Sequence, residues 1–172
     1  MFDYSGVPRA QRTLILACML FWSVLSYIIV RKYVLEGSRV EGSSMAPTLI
    51  DGDGYVLSHL SYLVRMPRRG DIVAVQLHAR ESLSVKRVIA LPGERVAFRN
   101  GHVYVNGKVL DEPYLRTTRA TSPGALGEHE YEIAKDCYFV MGDNRENSLD
   151  SRTVGAVRRD WIQGVILLWD LN

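Results

Sequence analysis

At 172 residues, 47% hydrophobic and 23% charged, the sequence has the length and composition of one folded domain plus an appendage, which excludes a wholly disordered chain. The formal net charge of +2 comes without any basic run interleaved with aromatics, which excludes a nucleic-acid partner. Cys18 and Cys137 make no disulfide framework and are silent on redox compartment.

The first element is apolar. Leu14 to Val30 reads LILACMLFWSVLSYIIV, about 17 residues without a charge, at the short end of what crosses a ~30 Å hydrocarbon core as a helix. Arg9 and Arg12 precede it, Arg31 and Lys32 follow it, and Tyr27 and Tyr33 stand near one rim as interfacial aromatics do. A cleavable secretion signal ends in small residues, whereas this run ends Ile28-Ile29-Val30-Arg31, so an uncleaved anchor is expected. Residues 1–12 then form a short tail, 13–33 the anchor and 36–172 a separate domain. Balanced basic flanks leave the orientation open.

Beyond Glu36 short runs rich in Val, Ile, Leu and Tyr predict a mainly β, antiparallel domain. Strands are expected at Asp71–Val75, Ser84–Leu91, Lys135–Met141 and Val165–Trp169. Between Val96 and Leu110, Asn100-Gly101 and Asn106-Gly107 punctuate a three-strand meander. Polar residues from Arg116 to Glu130, with Pro123, Gly124 and Gly127, predict a surface loop. In the run Val85-Lys86-Arg87-Val88, strand alternation puts Lys86 on the face of Val88 and Arg87 on the other. One of two basic side chains would then face the interior.

A serine hydroxyl is a weak nucleophile that needs a base within hydrogen-bond reach. A lysine serves only when neutral, and its usual pKa of about 10.4 leaves on the order of one in 2,500 deprotonated at pH 7. Apolar burial can lower that pKa by several units; at roughly 8, about one in ten would be competent. An isolated strand lysine is ordinarily a solvated edge residue, and a serine ahead of a proline ordinarily a turn former.

Four stretches change that reading. They are Ser43-Ser44-Met45-Ala46-Pro47-Thr48-Leu49, Arg69-Gly70-Asp71-Ile72-Val73, Lys86-Arg87-Val88-Ile89-Ala90-Leu91-Pro92-Gly93-Glu94 and the box from Gly142 to Arg152, GDNRENSLDSR. In this order, after an N-terminal anchor, they resemble the boxes of type I signal peptidases. Val103-Tyr104-Val105-Asn106-Gly107 and Asp111-Glu112-Pro113-Tyr114 extend the likeness from about Arg39 to the C-terminus.

The resemblance implies a membrane-bound serine endopeptidase with a signal-peptidase-like β-domain. Ser44 would attack the scissile carbonyl, Lys86 would take its proton and later activate water, and the Ser44 N–H would donate to the oxyanion. Many relatives place a second donor, a serine, two residues earlier; here Gly42 stands there. Ser148 would hydrogen-bond to and orient Lys86, Asp150 and Arg152 would form a supporting ion pair, Asp143 would share that wall, and Arg145 would be structural. Val40 to Ser43 would pair with an extended substrate, with Ser84 and Val85 across from it. Shallow pockets of Val40, Met45, Leu49 and Val85 would admit only small side chains, an Ala-x-Ala preference.

The implied partners are signal-peptide-bearing preproteins and the lipid bilayer, near the secretion channel. The catalytic domain would lie on the outer (trans) face of a bacterial inner membrane, with an apolar rim near Met45 dipping toward it. No cofactor or metal is expected: there is no HExxH motif, and His59, His78, His102 and His129 form no ligand grouping. The alternatives are a single-substrate relative, such as a pilin-maturation peptidase of a plasmid transfer system, a self-cleaving Ser-Lys regulator, and a tethered β module without catalysis. The regulator needs a DNA-binding helix pair where this chain carries its apolar run.

Overall fold

The computed structural model describes residues 8–33, 35–77, 83–115 and 120–167. Helix α1 spans Arg9–Tyr33, longer at both ends than its uncharged stretch. Its 25 residues rise about 37 Å, sufficient to cross a bilayer. Leu14, Phe21 and Trp22 are each more than 60% exposed, so this helix does not pack as the core of a soluble domain would.

Strand β1 (Leu35–Arg39) begins two residues after α1 ends. There follow β2 (Gly54–Ser58), the single-turn helix α2 (Ser61–Val64), β3 (Ile72–Val75) and β4 (Ser84–Ala90). Next come β5 (Arg95–Arg99), β6 (His102–Val105), β7 (Lys108–Val109), β8 (Tyr131–Glu132) and β9 (Cys137–Met141). The chain continues through α3 (Ser151–Val154), β10 (Val157–Arg158) and β11 (Ile162–Leu167). Seven strands form one sheet in the order β1-β2-β11-β3-β4-β9-β10, and four form a second in the order β7-β6-β5-β8. Every pairing is antiparallel.

The expected meander is β5, β6 and β7. Asn100 and Gly101 at its first turn, and Asn106 and Gly107 at its second, all take positive φ, the backbone that a two-residue hairpin demands. Elsewhere the boundaries move for local reasons. Strand β9 starts at Cys137 rather than Lys135, because Ala134 to Cys137 forms a turn with Asp136 at φ 64°. Strand β11 starts at Ile162, three residues before the expected Val165, and residues 168–172 lie outside the described residues, as do 116–119 of the expected loop.

Three apolar clusters hold the domain. Ile89, Ala90, Phe139 and Met141 of the large sheet meet Val96, Phe98, Val103 and Val105 of the small one, which fixes the two sheets together. Val73, Val75, Val88 and Val140 anchor a second cluster. The third joins Val40, Met45 and Leu49 of the segment after β1 to Ala74 and Val85. Strand β4 therefore has apolar contacts on both faces and is buried from Val85 to Ala90. That overturns the expected division of its basic pair: Lys86 is 3% exposed and Arg87 8%, so both are interior.

Candidate active site

Three segments converge on the face of β4. The segment after β1 is closed by Val40 N–H donating to Asp53 O (2.8 Å) and Gly52 N–H to Val40 O (2.9 Å). Within it Gly42 sits at φ +86°, where a side chain would be strained, and its N–H donates to Asp51 Oδ1 at 2.7 Å. Burial of Val40, Met45 and Leu49 pulls this turn onto the sheet and leaves Ser44 half-buried above them.

Lys86 reaches the serine from β4. Its Nζ lies 2.9 Å from Ser44 Oγ and donates to the Val85 carbonyl at 3.0 Å. Burial pushes the Lys86 ammonium down from its usual 10.5 to about 8, against the opposing pull of the Asp150 carboxylate. Asp150 is fully buried and accepts from Arg152 Nε (2.9 Å), Arg152 Nη2 (2.8 Å) and the Gly142 N–H (3.0 Å). Burial alone would raise that carboxyl; Arg152, the Gly142 N–H and the Ser148 hydroxyl together outweigh it and hold Asp150 below the usual carboxylate range. The Arg152 cation thus pairs with Asp150, whose pull on Lys86 is smaller than the effect of burial.

The third segment is the box after β9. Its Asp143 pairs with Arg87, Nε to Oδ1 at 2.9 Å and Nη2 to Oδ2 at 2.7 Å, and the guanidinium lies 4.0 Å over the Tyr114 ring. Arg145 bonds Glu112, Thr121 Oγ1 (3.0 Å) and Gly142 O (3.1 Å), and its own carbonyl accepts from Arg152 at 2.6 Å. Asp150 and Arg152 therefore form the expected pair, in the interior rather than at the surface. Ser148 departs from expectation. Its Oγ is shielded from solvent and makes no hydrogen bond of normal geometry among the described residues, to Lys86 or to any other group, although it stands near enough to Asp150 to help hold that carboxyl down. Instead it packs against Gly142, where a Cβ would overlap both Ser148 Oγ and the Ser44 carbonyl oxygen.

A cleft of about 340 Å³ is lined in part by Ser44 and Lys86. Val40, Met45, Ser84 and Val85 line it as expected, and Tyr55 and Leu57 of β2 line it too. Leu49 and Gly42 do not line it: Leu49 is packed in the core beneath, and Gly42 is an exposed bend. Sequence reasoning missed Tyr55 and Leu57 because β2 was not recognised as a strand. Asn144 and Asn147, both in the box after β9, have no task that the sequence alone assigns. Both touch the serine turn: Asn144 N–H donates to Ser44 O (3.0 Å), Asn144 Nδ2 to Ser43 O (3.1 Å) and Asn147 Nδ2 to Ser43 Oγ (3.0 Å).

The family described as signal peptidase, peptidase S26, matches residues 11–169. Signal peptidase I of Bacillus caldolyticus is 40% identical over 155 residues, covering 85% of each chain. Signal peptidase I T of Bacillus subtilis (strain 168) is 38% identical over 148 residues, covering 83% of this chain and 77% of the relative. Among solved structures, a signal peptidase I from Enterococcus faecalis V583 superposes with TM-score 0.50 at 30% identity, over 59% of this chain and 97% of the other. A match of that extent, running through the serine turn, β4 and the box after β9 alike, shows that this chain belongs to the signal peptidase family, as a serine endopeptidase that removes signal peptides.

Proposed function

We propose that Ser44 is the nucleophile and neutral Lys86 the general base of this peptidase. One observation carries the assignment: a buried amine with its pKa near 8 stands 2.9 Å from a serine hydroxyl, and both line one cleft. Ser44 Oγ attacks the scissile carbonyl while its proton passes to Lys86 Nζ, and the Ser44 N–H faces the oxygen that gains charge. Lys86 then gives the proton to the leaving amine and, neutral again, activates the water that releases the acyl group. The Val85 carbonyl holds Nζ without charging it, and the Arg152–Asp150 and Arg87–Asp143 pairs fix the wall behind.

The cleft fits an extended peptide laid between Val40–Ser43 and Ser84–Val85, with room for small side chains over Met45 and Tyr55, in keeping with an Ala-x-Ala preference. Helix α1 anchors the enzyme in a bacterial inner membrane with the catalytic domain on the outer face, where preproteins emerge from the secretion channel. Mass spectrometry of the products from a purified preprotein tests the chemistry. The intact enzyme releases a signal peptide ending in a small residue, whereas Ser44→Ala and Lys86→Ala release none. Cleavage retained by either variant would overturn the dyad.

A further inference from the structure

We infer that Asn144 is a positioning residue that aims the oxyanion donor of this enzyme; the inference rests on the Ser44 assignment. In a trans peptide the C=O and N–H point in opposite directions, so whatever holds the carbonyl of the Ser43–Ser44 peptide also aims the Ser44 N–H. That carbonyl accepts from Ala46 N–H at 3.1 Å and from Asn144 Nδ2 at 3.1 Å. The first bond is internal to the turn and lets the turn rotate as one body. The second ties it to the segment after β9, which also holds the wall behind Lys86. The next peptide is held from the same residue, since Asn144 N–H donates to the Ser44 carbonyl at 3.0 Å. Asn147 adds a third tie through the Ser43 hydroxyl at 3.0 Å.

The Ser44 N–H itself donates to no other group among the described residues and is available to substrate. Gly42 supplies no side-chain donor, and its N–H is committed to Asp51. Alignment of the Ser44 N–H then carries much of the stabilisation of the tetrahedral oxygen.

The test uses the full-length enzyme in detergent with a purified preprotein and two probes of one sequence, a peptide aldehyde and the matching peptide amide. The aldehyde captures the oxyanion state: a bond forms from Ser44 Oγ to the carbonyl carbon, the hydroxyl proton goes to Lys86 Nζ, and the carbonyl π pair moves onto oxygen. The amide binds the same cleft without forming that bond. Asn144→Ala, which keeps the backbone tie, should lower kcat about 10- to 100-fold with KM within about threefold. Aldehyde affinity should fall by a similar factor, amide affinity should hold, and the acid limb of the pH–rate profile should stay in place. Asn144→Asp, nearly isosteric but repelled by the Ser43 carbonyl, should lose at least as much while melting within a few degrees of the parent. Unchanged kcat in both variants, or equal loss of aldehyde and amide affinity, would overturn the inference. If Ser44→Ala retains turnover, the nucleophile assignment fails instead, whatever Asn144 does.

Discussion

At the residue scale the proposed dyad depends on where one proton resides. With Lys86 at about 8, roughly one enzyme in ten carries the free amine at pH 7, and the fraction grows as pH rises. The kcat/KM profile of the free enzyme should therefore climb through an acid limb centred near pH 8 and level off above it. A limb near 10.5 would mean that burial does not act on this amine. Gly142 makes a second prediction of the same reach. Its α-carbon faces Ser148 Oγ and the Ser44 carbonyl oxygen with no space for a methyl group. Gly142→Ala should displace the serine turn from Lys86 and cut kcat by 100-fold or more, since a shift of about 1 Å at reacting atoms costs on that order. Full activity in Gly142→Ala would show that the turn yields without harm.

At the element scale β4 holds an amine where an apolar residue would be more stable. A group whose folded pKa is depressed from 10.5 to about 8 binds fewer protons folded than unfolded between those values, so its presence destabilises fully below pH 8. The cost is relieved as pH climbs from 8 to 10.5, and at about 1.4 kcal/mol per pH unit it reaches about 3 kcal/mol. Lys86→Met should abolish turnover yet melt several degrees higher than the parent at pH 7, with the advantage closing toward pH 10.5. A melting difference that ignores pH would separate this stabilisation from the titration of Lys86. What was legible in the sequence follows the same physics. The Asn-Gly turns, the valine-rich run of β3 and the run of β4 announced themselves because local chemistry and final structure agree there. Strand β1, with Glu36, Gly37, Ser38 and Arg39 in five residues, has little strand propensity; it is an edge strand held by its register against β2. Lys86 and Arg87 could not both be placed inside from alternation, since period two assumes one wet face and β4 has none. The resemblance pairs Ser148 with Lys86, whereas Nζ donates to the backbone carbonyl of Val85, a group no residue pattern reveals.

At the scale of the whole molecule, the question is what α1 contributes to an active site it does not touch. Ser44 follows Tyr33 by eleven residues, so even a fully extended chain puts Ser44 within about 40 Å of the helix end. A preprotein whose apolar segment is itself in the membrane presents its cleavage site within the same shallow zone. With α1 in the bilayer as proposed, the two reactants would meet in a layer rather than in a volume, which would raise their effective concentration without any new contact. Free peptides gain nothing from this. Leu16 and Leu20 lie mid-helix and are exposed, 63% and 67%, so changing them leaves the catalytic domain's packing alone. Leu16→Arg with Leu20→Arg adds roughly 2.5–3.5 kcal/mol per arginine to the cost of insertion. The double variant should leave the membrane fraction, keep kcat/KM on a soluble peptide within about threefold, and lose tenfold or more on a preprotein embedded in lipid vesicles. Equal losses on peptide and preprotein would mean instead that α1 supports the fold of the catalytic domain, and retention in the membrane fraction would mean that another part of the chain binds lipid.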